Sequence, residues 1–581
     1  MISDSTKHPA FSVQNTLQAF SKSLFFRIFA RNTNDMQRIL SIFVLLLSLT
    51  TSASASFAQE AGQETDTAKT NTSPSILSLS TPKHEIRATW LTTLYGLDWP
   101  KTQATGPESM QRQQEELCRM LDLLQAAGIN LIFFQTRIRN DVAYRSRIEP
   151  MSAIFTGRTG KDPGYDPLAY TIQECHKRGI ECHAWVVAIP AGTQAQQRAL
   201  GKAALSRKEP KMTIRHDGAF YLDPGHPGTA DYLCRIVREI TENYDIDGIQ
   251  FDYLRYPEQA SRFPDQATYR RYAHGESKPT WRRNNLNRIM QQLYRTIKDC
   301  KPWVQVSSCP VGKYSDLPRY RAGGFTAFHA VHQEAQHWLA QGWQDLICPM
   351  MYYRDNYFYP FLLDWKENAC GRPVVPGLGI YFLDPREGNW KLQDITDQLA
   401  FCRAIGTGMA FYRAKFLTDN IQNLQERFIR QFSAYPALLP PATWIDSIPP
   451  QKPTGLIVEP AGTQTRLYWD APETDTEQAP LSYNIYASDT WPVDTRKAEN
   501  LIAIRIQETH YQYNHISRLS GKIYFAITAY DRSHNESEAL QMGSPYHTTE
   551  IQAKIESYFS KKSRQNIRKS RTNTSRKHSR F

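Results

Sequence analysis

Between residues 87 and 412, short apolar segments alternate with amphipathic ones until the apolar run has appeared eight times. No other feature limits so strongly what this chain can fold into. The apolar runs are Arg87–Thr92, Leu131–Arg137, Glu181–Val187, Gly248–Tyr253, Val304–Cys309, Asp345–Tyr352, Val374–Phe382 and Gly408–Tyr412. Helical patterns separate several of them. Glu115–Ala127 and Leu168–Arg178 each close on a glycine, and Thr229–Tyr244 and Asn284–Asp299 repeat apolar residues at three-to-four spacing. Strand–helix alternation carried to eight predicts an α/β fold of the (β/α)8 TIM barrel type with enlarged loops. A doubly wound open sheet is the alternative, but no glycine-rich phosphate loop follows the first strand.

With 581 residues the chain is too long for one average domain. Residues 1–58 read as an N-terminal extension and secretory signal. Met36 begins a short basic stretch, Leu40 to Leu49 is apolar, and small residues lead to Ala58, so Met36 is the expected start. The apolar run is short for a membrane span, and no transmembrane segment is expected after cleavage. Residues 59–82 have the composition of a disordered linker, and 83–436 hold the barrel pattern. A Pro-rich linker at 437–452 leads into short alternating strands over 453–545, an all-β sandwich. Residues 546–581 form a basic tail.

The formal charge of +12 sits at the two ends. Residues 1–58 carry a net +3 and residues 561–581 a net +9, which leaves the body between them neutral. Specific nucleic-acid binding by the folded body is therefore not expected, although the tail can contact anionic envelope polymers by charge. The nine cysteines form no CxxC pair, so neither a metal site nor a cofactor is expected.

Parallel α/β proteins place their chemistry at the C-terminal ends of the strands. Rings crowd those ends here. Trp90 belongs to the first strand, with Trp99 in its loop, while Gln135 and Arg137 lie on the second, followed by Asp141. His183 and Trp185 lie on the third, with Asp223 beyond, and Asp252, Tyr253 and Arg255 end the fourth. Tyr352, Tyr353 and Asp355 follow the sixth, and Tyr381 the seventh. Aromatic faces for stacking, acceptors for hydroxyls and carboxyl groups for acid–base work predict a carbohydrate cleft. Each residue also has a plainer reading. Trp90 and Trp185 fit a barrel core equally well, His183 fits a hydrogen-bonded core position, and Asp223 fits a turn before Pro224-Gly225. Asp247, at the entrance to strand four, reads as a turn residue. Asp252 is the cleft carboxylate, with Asp355, Asp141 and Asp223 as candidate partners in that order. The binding candidates are Trp90, Trp99, Gln135, Arg137, His183, Trp185, Tyr253, Arg255, Tyr352, Tyr353 and Tyr381.

The same segments carry a resemblance. Glu85-Ile-Arg-Ala-Thr-Trp90, Phe134-Gln-Thr-Arg137, Tyr165-Asp-Pro-Leu168, Leu222-Asp-Pro-Gly225, Tyr244-Asp-Ile-Asp-Gly-Ile-Gln-Phe-Asp252 and Pro349-Met-Met-Tyr352 resemble, in order, the glycosyl-hydrolase-like family 10 barrel. The 453–545 region, with Leu467-Tyr-Trp469 and Tyr524-Phe-Ala-Ile-Thr-Ala-Tyr530, resembles a fibronectin type III domain. The barrel resemblance implies a secreted or periplasmic bacterial glycoside hydrolase, with peptidoglycan glycan strands as a substrate class. Two departures stand out: Ile138 replaces a proline usual after Arg137, and Tyr253 stands where a second acid often follows Asp252. A non-catalytic glycan-binding or envelope scaffold protein is the competing expectation.

Overall fold

The computed structural model describes residues 81–461, 464–473, 481–514, 522–543 and 546–547. The signal segment and nearly all of the 59–82 linker and of the basic tail lie outside them. Eight parallel strands form one sheet: β1 (Arg87–Leu91), β2 (Leu131–Arg137), β3 (Glu181–Val187), β4 (Gly248–Asp252), β5 (Gln305–Ser308), β6 (Leu346–Ile347), β7 (Gly377–Leu378) and β8 (Met409–Phe411). Within it they run in the order β7-β8-β1-β2-β3-β4-β5-β6. Parallel bridges Ile347↔Val374 and Met350↔Gly377 bring the two edges together, so the sheet curls in the manner of a TIM barrel. Each strand is followed by a helix: α1 (Pro107–Ala126), α2 (Pro167–His176), α3 (Pro227–Asn243), α4 (Lys278–Cys300), α5 (Ala335–Ala340), α6 (Tyr359–Glu367), α7 (Leu392–Ala404) and α8 (Leu424–Gln431).

The helix starts follow from local chemistry. Asp166 accepts a hydrogen bond from the Ala169 N–H at 3.0 Å, and Pro167 then opens α2, where a missing N–H costs nothing. Strands β6 and β7 are much shorter than the apolar runs that contain them. Pro349, Pro373 and Pro376 have no N–H to give a ladder, and they serve only as acceptors, from Gly377, Ile347 and Ala410.

Alternation along the strands divides the core in two. Ala88, Trp90, Leu131, Phe133, Trp185 and Val187 pack on the inner face of the curl, while Ile132, Phe134, Ala184, Val186, Ile249 and Phe251 pack outward against the helices. In β4 this puts Gly248, Gln250 and Asp252 on one face. Gly248 leaves the space that the His183 ring fills: a Cβ there would lie 2.4 Å from His183 Nδ1. Gly248→Ala is therefore expected to cost about 1–3 kcal/mol through overpacking, read as a lower urea midpoint at unchanged slope.

Beyond residue 453 two antiparallel sheets share a core. One orders β9 (Thr454–Ala461), β10 (Gln464–Asp470) and β13 (His510–Asn514). The other orders β12 (Leu501–Ile506), β11 (Ser482–Ser488), β14 (Lys522–Tyr530) and β15 (Leu540–Gln541). Trp469 is buried between them, its ring 5.2 Å from that of Tyr483. This all-β region is tied to the N-terminal ends of the barrel-like strands. His534 Nε2 lies 2.7 Å from Glu181, while Arg505 reaches Asp247 at 2.9 Å and Glu181 at 3.2 Å. Arg532 meets Asp245 at 2.7 Å. All nine cysteines are unbridged, so Cys175 and Cys182 pack as small apolar residues.

Candidate active site

The C-terminal ends of β1 to β4 and β8 open into a cleft of about 450 Å³. One wall comes from an insertion after β3, a three-stranded antiparallel sheet of Pro190–Thr193, Ala219–Leu222 and Thr213–His216. Its tip is the turn Asp217-Gly218, with φ of 45° and 75°. Two successive positive φ values are what a tight hairpin demands, and Asp-Gly supplies them at low cost.

Asp252 sits at the cleft floor, 5% exposed. One carboxylate oxygen accepts the Tyr253 N–H at 2.7 Å and the other accepts Trp185 Nε1–H at 3.1 Å. Burial pushes its pKa above the ordinary aspartate value, outweighing the Cys309 thiol, the Arg255 charge and those two donors. The result is a carboxyl group held in place by an indole and a backbone amide but denied full hydration. Tyr253 has a left-handed φ of 51°, which carries its ring out of the strand direction to the cleft wall, 40% exposed. Arg255 is itself buried, lies 4.6 Å from the Tyr253 ring centre and approaches Glu258 at 3.8 Å. Its Nε has no hydrogen-bond partner among the described residues.

Gln135 also lines the cleft. Its carboxamide oxygen takes the Thr93 and Leu94 N–H groups at 3.0 and 2.8 Å and the Thr92 hydroxyl at 2.7 Å. The oxygen thus fastens the first loop. Tyr412 completes this side, with Tyr352 and Tyr381 packed on it at 5.3 and 5.8 Å between ring centres. Burial raises the pKa of both Tyr352 and Tyr412, with smaller contributions from neighbouring groups that include Asp252. Tyr353 lies farther round, its ring 5.0 Å from Lys313 Nζ.

Several sequence candidates are not brought to the cleft. Arg137 is wholly buried in a two-pronged ion pair with Glu149 at 2.7 and 2.8 Å and donates to the Val187 and Ala188 carbonyls. Its guanidinium is committed to joining β2 and β3. Trp90 is 1% exposed on the inner face of the curl and donates to Gln250 Oε1 at 2.6 Å. Trp99 is also buried and donates to the Gln113 carbonyl under α1 at 2.7 Å. His183 lies low in the curl, 3.1 Å from Glu181. All four have core or positioning surroundings.

The expected carboxyl partners fare similarly. Asp355 is exposed in a short turn, with φ of 51°, and is not among the cleft-lining residues. Asp223 holds a loop together by accepting from the Gly225 N–H at 2.9 Å and the Thr268 hydroxyl at 2.8 Å. Burial pushes its pKa up to about 6. Asp141 lines a second cavity of about 310 Å³ that shares Leu94, Ile138 and Arg139 with the cleft. Burial raises its pKa as well. Asp247 is no simple turn residue, since it accepts from His176, from the Cys182 N–H and from Arg505.

Two carboxyl groups absent from the sequence expectation do line the cleft, Asp217 and Glu258, together with the cation Arg139. Asp217 Oδ2 lies 3.3 Å from Nε2 of buried His216, another lining residue. The signal for the hairpin was available: Asp-Gly stands between Thr213-Ile-Arg-His and Ala219-Phe-Tyr-Leu. Among the described residues no cluster of His, Cys, Asp and Glu has the makings of a metal site, and no helix is long and apolar enough to cross a membrane.

Residues 85–369 match the glycosyl hydrolase-like 10 family. Glycosyl hydrolase YngK of Bacillus subtilis is 29% identical over 482 residues, 78% of this chain and 92% of that protein. Glycosyl hydrolase DigH of Escherichia coli is 33% identical over 306 residues, 49% of this chain and 70% of that protein. Among solved structures, the PgaB glycoside hydrolase domain from Bordetella bronchiseptica superposes with a TM-score of 0.42 at 13% identity, covering 61% of this chain and 99% of that one. The family match over residues 85–369 and the 33% identity to DigH show that the chain belongs to the glycosyl hydrolase-like 10 family.

Proposed function

We propose that this protein is a secreted glycoside hydrolase that cleaves cell-envelope glycan, with peptidoglycan glycan strands as its substrate. The observation that carries this reading is Asp252: a buried carboxyl with raised pKa, fixed by Trp185, at the floor of a cleft walled by tyrosines. Glycosidic bond cleavage uses two carboxyl groups, one serving as nucleophile or base and one moving the proton of the leaving oxygen. Asp252 takes the first role. Its partner is a cleft-lining carboxyl, Asp217 on the hairpin or Glu258 beside Arg255, with Asp141 one cavity away. Trp185, Tyr253 and Tyr412 offer faces to sugar rings, and Gln135 and Arg255 offer donors.

On this reading the curled sheet is a complete (β/α)8 barrel over 83–436 and the 453–545 region a fibronectin type III module. Residues 36–58 direct the chain to the periplasm or cell exterior, and the basic tail holds it near anionic polymers.

The alternative, a glycan-binding scaffold, draws support from the exposure of Asp217 and Glu258, whose side chains are 54% and 70% exposed. Incubating the full chain with purified, peptide-free glycan strands separates the two. The hydrolase reading expects new reducing ends that increase with time. Saturable binding with no product would instead make the protein a scaffold.

A further inference from the structure

We propose a second ligand site, for a phosphate group carried on a small polar organic body, at the opposite end of the curled sheet from the cleft. A cavity of about 690 Å³ opens there, lined by residues that precede the strands, including Ile86 before β1, Val374 before β7 and Gly408 before β8. Residues 440–444, which lead into the all-β region, form its other side.

The charges around this cavity are unbalanced. Lys366, Arg372 and Arg403 line it, against the single carboxylate of Glu85. Glu85 is already engaged, by Arg403 at 2.7 Å and by Arg87 at 2.7 Å. Arg403 is 5% exposed, with Nε and Nη2 used on Glu85, and its Nη1 has no hydrogen-bond partner among the described residues. Arg372 lies over Trp444, its Cζ 4.3 Å from the ring centre, and its buried Nε is likewise unpartnered among the described residues. Among the described residues no carboxylate forms an ion pair with Arg372. Among the described residues Lys366 Nζ donates only to the Gly406 carbonyl, at 3.0 Å, and an ammonium carries three donors.

Buried guanidinium nitrogens without acceptors are costly, and a bound oxyanion is the group that satisfies them best. The cavity is far larger than one phosphate, and the rest of its wall mixes polar His84, Thr407 and Thr443 with Ile86, Val374 and four prolines. That leaves room for a compact body such as a sugar ring beside the anion. Because the lining draws on both the sheet and the segment leading to the all-β region, a bound ligand would bridge the two.

Calorimetric titration of the full chain at constant ionic strength tests the site, with inorganic phosphate, glucose-6-phosphate and, as the neutral control, glucose. Glucose-6-phosphate is expected to bind, inorganic phosphate to bind more weakly, and glucose not to bind. Arg372→Gln and the surface change Lys366→Gln should each weaken glucose-6-phosphate binding by about tenfold, as expected for one charge-assisted hydrogen bond lost. Asp252→Asn should leave it unchanged. No binding of either anion, or full affinity in both cation variants, would overturn the site. Equal affinity for the two anions would overturn the organic body, and loss of binding in Asp252→Asn would move the anion to the cleft.

Discussion

Replacing Asp252 by asparagine is expected to lower glycan hydrolysis by about 10³-fold or more, on the scale of losing an essential catalytic group, while leaving stability nearly unchanged. The exchange is isosteric. The amide oxygen can still accept from Trp185 Nε1 or from the Tyr253 N–H, and the swap removes a charge that burial already disfavours. What it cannot do is act as a nucleophile or base. The sign of the shift also fixes a pH signature. If Asp252 works ionised, its raised pKa places the acidic limb of the wild-type rate profile above the ordinary aspartate range near 4. An acidic limb at or below that value would contradict the role.

The second large effect lies at the other end of the sheet. Arg505→Met should destabilise the protein by about 3–5 kcal/mol, because Glu181 and Asp247 would be left buried without their shared cation. Methionine keeps much of the apolar stem, so most of the loss is electrostatic. The pH dependence of this cluster has two limbs. Burial alone would raise the Asp247 pKa, but His176, Arg505 and the Cys182 N–H hold it well below the usual value. That contribution is present above the ordinary carboxylate pKa and is lost as pH falls toward the depressed one. Burial alone would lower His176 and His534, but Asp247 and Glu181 respectively raise them. Their contribution is complete below the ordinary histidine pKa and is lost as pH rises through the raised one. The cluster is thus strongest between about pH 4 and 6.5. Urea denaturation of the wild type and Arg505→Met from about pH 4 to 9 should show a smaller gap below the raised histidine pKa values, where protonated His176 and His534 still compensate the two carboxylates, and a larger gap above them. A constant gap at all pH values would argue against the coupling.

The strand order and the inward direction of Asp252 were legible from periodicity, because a two-residue repeat on β4 can put only Gly248, Gln250 and Asp252 on one face. The long-range partners were not. Arg137 looked like a cleft residue from its position at the end of β2, but Glu149 lies in a loop whose path no local pattern gives. Asp247 looked like a turn because its partner Arg505 is 258 residues away. Asp355 follows a strand end, which points it to the cleft by position, but the turn that exposes it depends on a positive φ at the aspartate itself. Conversely, Asp217 lies off all eight strand ends, on a hairpin inserted after β3, which the strand–helix alternation does not indicate.

Hydrogen exchange of the full-length Asp252→Asn protein, with and without peptide-free glycan strands, tests most directly whether this cleft receives the glycan. Protection is expected in peptides covering 185–193, 213–222 and 252–259, the segments that line the cleft, with 366–374 and 440–444 unchanged. Strands that bind and protect other surfaces while leaving those three segments unprotected would contradict the account.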